Sequence, residues 1–302
     1  MNVIVLGLGS IGLGNRNIRS FRSYVNFFLK SKKYKLYAVV DPNPKKLRLY
    51  NTNFKKKNVL SLKNLRDLKK EQAKKIDLVC FASPTKYFIP ICNQLNTLGI
   101  KPKIVIIEKP VATTIKNFRK IILNFKKSKI IINYQRIFDK NYRKIFDNLK
   151  KKKNLNFDIN YNNGLFDNLC HLLSLIIFYF GKPTKIIKKK EFKKTNFKLV
   201  FKNNIEVNCN EVNKHTYNIL DMIVYEDKQK INFFSAGHHI IKEKIYHYDY
   251  LFNYKLLKKN LEFRIKQIFS LDFLLSKKYN KFLERKLIKN AEETIRVINK
   301  VI

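Results

Sequence analysis

Hydrophobic and polar positions alternate along this chain in blocks, and the period of the blocks changes near the middle. In the first 134 residues short apolar runs recur: "NVIVL" at 2–6, "KLYAVVD" ending at Asp41, "DLVCFA" at 77–82, "KIVIIE" at 103–108 and "KIIINY" at 129–134. Uninterrupted β-branched runs of this length predict strands buried on both faces. Between them the apolar spacing shifts to three, four and seven, as at Ile11, Ile18, Phe21, Val25 and Phe28, and again over 86–99 and 114–127. Those stretches predict amphipathic helices. Strand and helix in alternation, with right-handed crossovers, give a doubly wound parallel sheet.

After residue 134 the rhythm differs. A helix over 139–152, a strand "LNFDINY" and a buried helix over 166–180 lead into strands at 184–192, 196–202, 205–212, 217–226 and 229–235. "KNN" at 202–204 and "EDKQ" at 226–229 read as hairpin turns. The prediction is an α/β chain in two domains. Residues 1–134 form the doubly wound domain; residues 135–302 form an α+β domain whose mostly antiparallel sheet has helices on one face. Its second face is open, a common place for subunits of a homo-oligomer to pair.

Four of the 8 glycines fall within "GLGSIGLG", residues 7–14. Placed between a strand and a helix, Gly7, Gly9 and Gly12 fit G-x-G-x-x-G, in which the glycines turn the chain, admit a pyrophosphate and pack helix on strand. The helix N-terminus adds free amides and partial positive charge. Ser10 and Ile11, inside the motif, are counted with it. The pattern predicts a Rossmann-type dinucleotide site. Asp41, at the end of the second strand, is placed to accept hydrogen bonds from ribose hydroxyls, which favours NAD over NADP. The interval from Gly12 to Asp41 is 29 residues, against the usual ~20. An insertion therefore lies in the first helix or the loop after it.

The formal charge of +42, from 64 basic against 22 acidic residues, raises the question of a nucleic-acid partner. The lysines are spread along the chain and accompany an excess of Asn, Ile, Phe and Tyr, as in the products of AT-rich genomes. "KKKK" at 150–153 falls between elements. No specific nucleic-acid binding is expected. No apolar run reaches the ~18–20 residues of a membrane span, and the chain opens directly into a strand. Cys80, Cys92, Cys170 and Cys209 show no C-x-x-C spacing and read as reduced core thiols. A cytoplasmic protein without a membrane partner is expected. His215, His238, His239 and His247 have no acidic or cysteine partner at ligand spacing, so no metal is expected.

The order of elements and several motifs together resemble the Gfo/Idh/MocA family, named after glucose-fructose oxidoreductase and inositol dehydrogenase. "VIVLGLGSIG" and "VVDPNPKKL" are similar to its opening strands, and "DLVCFASPT" to the segment on the nicotinamide side. "IIEKPVATT" carries a Glu-Lys-Pro signature, and "INYQRIFDKNYRKI" resembles the crossing into the second domain. "DNLCHLLSLIIFYFG" is similar to an Asp-x-x-x-His helix, and "AEETIRVINKVI" to the closing helix. The resemblance implies an NAD-dependent dehydrogenase acting on a sugar hydroxyl, with Ser83, Pro84, Thr85, Glu108 and Lys109 also against the cofactor. It implies Lys109, Asp167 and His171 as the catalytic set, with Arg136 beside them on the substrate. Histidine titrates near neutrality and suits removal of a hydroxyl proton. Asp167, four residues earlier on a helix, faces the same side and orients the imidazole. Lys109 stabilises charge on the substrate oxygen.

The chain departs from the family in places. The stretch before the Asp-x-x-x-His helix is short, Phe88 stands where a histidine is common, and Gln135 where an asparagine is. By analogy with members that accompany surface-polysaccharide genes, the expected substrate is a sugar or nucleotide sugar. Two other readings stand beside the enzyme: a dinucleotide-binding sensor or regulatory subunit with weak turnover, and a basic interaction protein.

Overall fold

The computed structural model describes all residues except 15–22, 55–57, 192, 214–216, 228, 235–238, 249–252 and 263–268. Ile18, Phe21, His215 and His238 lie outside the described residues. The chain divides into two compact units, Met1–Tyr134 with Lys266–Glu292, and Gln135–Ile265 with Glu293–Ile302.

The first unit is built on six parallel strands. They are β1 (Asn2–Leu6), β2 (Lys35–Val40), β3 (Leu60–Leu62), β4 (Leu78–Phe81), β5 (Ile104–Glu108) and β6 (Lys129–Asn133), in the order β3-β2-β1-β4-β5-β6. Every residue of β4, and Val3 to Leu6 of β1, is buried, as the continuous apolar runs require. Five helices connect them: α1 (Tyr24–Lys30), α2 (Pro44–Phe54), α3 (Lys70–Ala73), α4 (Phe88–Thr97) and α5 (Ile115–Asn124). Caps fix where they start. Thr114 accepts a hydrogen bond from the Asn117 amide at the head of α5. The strand order reverses between β1 and β4, and the crevice outside the carboxyl ends of such strands is where ligands of open α/β sheets bind.

The second unit begins with α6 (Gln135–Phe138) and α7 (Lys140–Leu149), the latter capped by Asp139, which accepts from the amides of Asn141 and Tyr142. After β7 (Asn156–Tyr161) come a π-helical turn, Leu165–Leu169, and α8 (Cys170–Phe180). Seven further strands complete a sheet of eight: β8 (Lys185–Glu191), β9 (Lys194–Phe201), β10 (Ile205–Glu211), β11 (Leu220–Glu226), β12 (Gln229–Phe234), β13 (His239–Tyr248) and β14 (Asn253–Glu262). Their order is β14-β13-β12-β11-β7-β10-β9-β8, antiparallel except for the parallel pair of β7 and β10. Alternate residues face one apolar layer. Phe157, Ile159 and Tyr161 of β7 are fully buried there. Phe146 of α7 packs on Phe157 and Phe233, and Phe180 of α8 on Phe157 and Phe201. The opposite face is polar, with Asn208 donating to Asp158 at 2.9 Å.

Several expectations change. The hairpin of β13 and β14 has no counterpart in the hydrophobic pattern, and the expected helix over 166–180 is a π-turn followed by α8. Residues 269–292, expected with the second domain, pack into the first unit. Tyr279 there donates its hydroxyl to Ile130 O at 2.8 Å, and Tyr34 donates to Leu275 O at 3.3 Å. That segment carries α9 (Phe269–Leu274) and residues 281–292 of α10 (Lys281–Val301). Among the described residues no helix is long and apolar enough to cross a membrane. All four cysteines are buried, and none is in a disulfide.

Candidate functional site

The glycine corner lies at the carboxyl ends of β1, β2 and β4. Gly7 donates its amide to Val40 O at 2.8 Å, and Leu6 O accepts from the Ala82 amide at the same distance. A Cβ on Gly7 would lie 2.6 Å from Ser83 N, and one on Gly12 would lie 2.0 Å from Gly7 O. These two glycines are required by packing alone. Gly9 differs: a Cβ there would meet nothing within 4 Å. It lines a cavity of about 680 Å³ together with Leu6, Gly7, Asp41, Ser83 and Pro84.

The helix expected to open directly from this corner is interrupted. Leu13 donates to Gly9 O, making one helical turn. The chain then leaves at Gly14, whose φ of +97° suits a residue without a Cβ. It resumes at Tyr24 and Val25, which donate to Ile11 O and Gly12 O, both at 3.0 Å. In an unbroken helix residues 15 and 16 would make those bonds. Tyr24 thus occupies the slot of residue 15, a surplus of nine residues, and the 29-residue interval to Asp41 reduces to the usual ~20. The insertion inferred from sequence lies inside the first helix, between Leu13 and Ser23.

This corner fits an anionic bridge. Among the described residues the amides of Gly9, Ser10, Ile11 and Gly12 donate to no protein acceptor. Successive free amides of this kind form a concavity for anions. Beside them the buried Ser83 hydroxyl has no hydrogen-bond partner among the described residues. A buried polar atom left unpaired costs about 1–3 kcal/mol, and a ligand that pairs it recovers that cost. The dinucleotide expected from sequence therefore has a cradle here. Its pyrophosphate would face Gly9, and Leu65, Pro90 and Ile91 supply apolar wall for an adenine.

Other expected cofactor residues are engaged elsewhere. Asp41 accepts from the Leu8 amide at 2.7 Å and from the Asn43 amide at 2.9 Å, one bond on each carboxylate oxygen. Thr85 donates its hydroxyl to Pro110 O at 2.8 Å, joining the loop after β4 to the loop after β5. The side chain of Glu108, expected against the cofactor, is instead buried in the first unit. Its Oε1 accepts from the Tyr24 hydroxyl and from Asn133 Nδ2 at 2.6 Å. Burial pushes this carboxyl above its ordinary range, against the opposing pull of those hydrogen bonds. Ser10, Ile11, Gly12 and Lys109 do not line the cavity. Lys46, Lys63, Asn43 and Asn64 do, and none was anticipated.

Lys109 follows Glu108 at the end of β5 in the first unit, half-buried, with a cis peptide to Pro110. In the second unit, Arg136 of α6 is buried and hydrogen-bonds the Tyr142 hydroxyl. Asp167 is exposed on the π-turn, and half-buried His171 lies on α8. The regular helical spacing expected between these two does not hold, because the π-turn widens the backbone between them. Asn168, beside Asp167, turns inward and donates to Asn162 O at 2.8 Å and Ile219 O at 2.7 Å, anchoring the turn. Among the described residues no three His, Cys, Asp or Glu side chains group as metal ligands.

Comparison with solved structures shows the whole fold to be a recurrent one. A dehydrogenase from Chromobacterium violaceum superposes over 99% of this chain and 93% of its own with a TM-score of 0.73 and 13% identity. KijD10, a 3-ketoreductase from Actinomadura kijaniata in complex with TDP-benzene and NADP, covers 99% of this chain and 97% of its own, with a TM-score of 0.71 and 12% identity. UDP-N-acetylglucosamine 3-dehydrogenase GnnA from Acidithiobacillus ferrooxidans covers 100% and 95%, with a TM-score of 0.68 and 11% identity. No curated protein sequence matches the chain. Residues 1–135 match the family described as GFO_IDH_MocA, oxidoreductase family, NAD-binding Rossmann fold.

Proposed function

We propose that the protein is a nicotinamide-dinucleotide oxidoreductase that moves a hydride between the cofactor and a hydroxyl-bearing or keto carbon of a sugar, with a nucleotide-linked sugar as the preferred substrate. The observation that carries the reading is the corner at Gly9, where four amides and the Ser83 hydroxyl have no partner among the described residues, at a cavity of about 680 Å³. Support for the substrate class comes from the neighbours, one a UDP-N-acetylglucosamine 3-dehydrogenase and another a 3-ketoreductase crystallised with TDP-benzene and NADP.

When bound, the nicotinamide supplies the hydride acceptor or donor. The protein's share is proton handling and charge. In this reading His171 serves as the proton acceptor, and the Lys109 ammonium stabilises developing negative charge. Asp167 and Arg136 hold the substrate. The polar face of the second unit's sheet pairs subunits.

The test is a pair of variants followed by binding and turnover. Lys109→Ala and His171→Ala are expected to bind NADH as the unmodified protein does and to lose at least about 100-fold in kcat on a responsive sugar. Unchanged turnover in both would remove the site assignment. Binding of NADH by the unmodified protein without turnover of any nucleotide sugar would favour the sensor reading.

A further inference from the structure

The adenosine end of the cavity differs in character from its glycine end. Asp41, the residue that would repel a phosphate on the ribose, already spends a bond from each carboxylate oxygen on the backbone amides of Leu8 and Asn43. Around it the remaining polar side chains of the wall offer donors. Lys46 enters from the first turn of α2, and Lys63 from the turn after β3. Among the described residues neither lysine is in an ion pair, although both share the cavity wall with Asp41. Asn43 and Asn64 use their Oδ1 atoms to accept from the Lys45 and Arg66 amides, which leaves each Nδ2 to donate.

The position of Lys46 is itself informative. The first turn of α2 holds no acidic residue and carries both Lys45 and Lys46. Cations are disfavoured at that end of a helix, where the macrodipole is positive, and an anion bound nearby offsets the mismatch. Two unpaired ammonium groups and two amide donors, gathered at the end of a dinucleotide cavity, are the chemistry that recognises a phosphomonoester dianion. The field of a chain with a net charge of +42 adds to that attraction.

We propose that this wall binds the 2′-phosphate of NADP, with Lys46 and Lys63 as its cationic contacts and Asn43 and Asn64 as neutral donors. The inference rests on the dinucleotide reading above and reverses the preference for NAD that Asp41 suggested from sequence.

Calorimetric titration of the full chain tests it without any turnover. NADPH is expected to bind about tenfold tighter than NADH at low salt, and 2′,5′-ADP tighter than 5′-AMP by a similar factor. Lys46→Ala and Lys63→Ala should each remove most of that gain, with a much smaller change in NADH affinity. Lys45→Ala, which alters the same helix turn outside the cavity lining, should retain it. Equal affinity for NADH and NADPH in the unmodified protein overturns the proposal and leaves the dinucleotide reading standing. So does a gain that survives in the Lys46→Ala/Lys63→Ala double variant, or one lost equally in Lys45→Ala, which would mark unspecific attraction to a basic surface. Binding of none of the four nucleotides overturns both.

Discussion

Replacing Gly9 by alanine separates the fold from the ligand. The new Cβ meets no protein atom within 4 Å, and the backbone at Gly9 is not in the left-handed region. A Gly→Ala change at a compatible position stabilises by about 0.4–1 kcal/mol, because the unfolded chain loses freedom. The melting temperature of the first unit should therefore rise by about 1–4 °C. The same methyl occupies the space that a pyrophosphate would take against the main chain. Loss of even one hydrogen bond to a charged group costs about 1.5–3 kcal/mol, or roughly 10- to 150-fold in Kd. Gly12→Ala makes the contrast, since its Cβ would lie 2.0 Å from Gly7 O, with backbone on both sides of the clash. That variant should lose about 3 kcal/mol or more and melt about 6 °C or more below the unmodified protein. Scanning calorimetry without ligand and fluorescence titration with NADPH and NADH give both quantities. A Gly9→Ala protein that melts several degrees low, or that keeps full affinity for both coenzymes, refutes the argument that Gly9 is reserved for a ligand.

Three further outcomes follow from the polar contacts. Tyr24→Phe removes a donor from the buried Glu108 carboxyl and should cost about 1–3 kcal/mol, read as a lower urea midpoint. Glu108→Gln tests the protonation of that cluster. Burial raises the Glu108 pKa above its ordinary 4.5, so its contribution is present below 4.5 and is lost as pH rises from there toward the folded-state value. The variant's stability relative to the unmodified protein should improve across that window, and a difference independent of pH between 4 and 7 would falsify the assignment. Tyr279→Phe leaves Ile130 O without its donor and should lower the melting transition of the first unit by about 1 kcal/mol equivalent; a shift confined to the second unit would contradict the placement of residues 269–292.

Much of the first unit was readable from sequence because its strands are buried on both faces and leave unbroken apolar runs. The glycine corner was readable because strand, motif and helix follow one another in a fixed order. What escaped did so for physical reasons. The interruption of the first helix leaves no mark in the apolar spacing, since Val25 and Phe28 keep the helical period after Tyr24 resumes the ladder. Glu108 was grouped with the cofactor on the motif alone, and nothing in the chain announces that Tyr24 and Asn133 would enclose its carboxyl. Lys46 and Lys63 were hidden by the chain's own composition, because two lysines among 64 basic residues carry no signal until the fold brings them to one wall. The π-turn before α8 was masked by a continuous apolar run that reads as a single helix.

The break between Leu13 and Ser23 also says how this architecture tolerates change in length. Exit and re-entry are one peptide step apart along the helical path, so extra residues can be added or removed there while β1, the corner and α1 keep their phase, and the entropic penalty grows only slowly with added length. Deleting residues 14–22 would splice Leu13 onto Ser23 and yield one uninterrupted helix from the corner to Lys30. Divergence can collect at such a junction while the coenzyme's resting place stays in register.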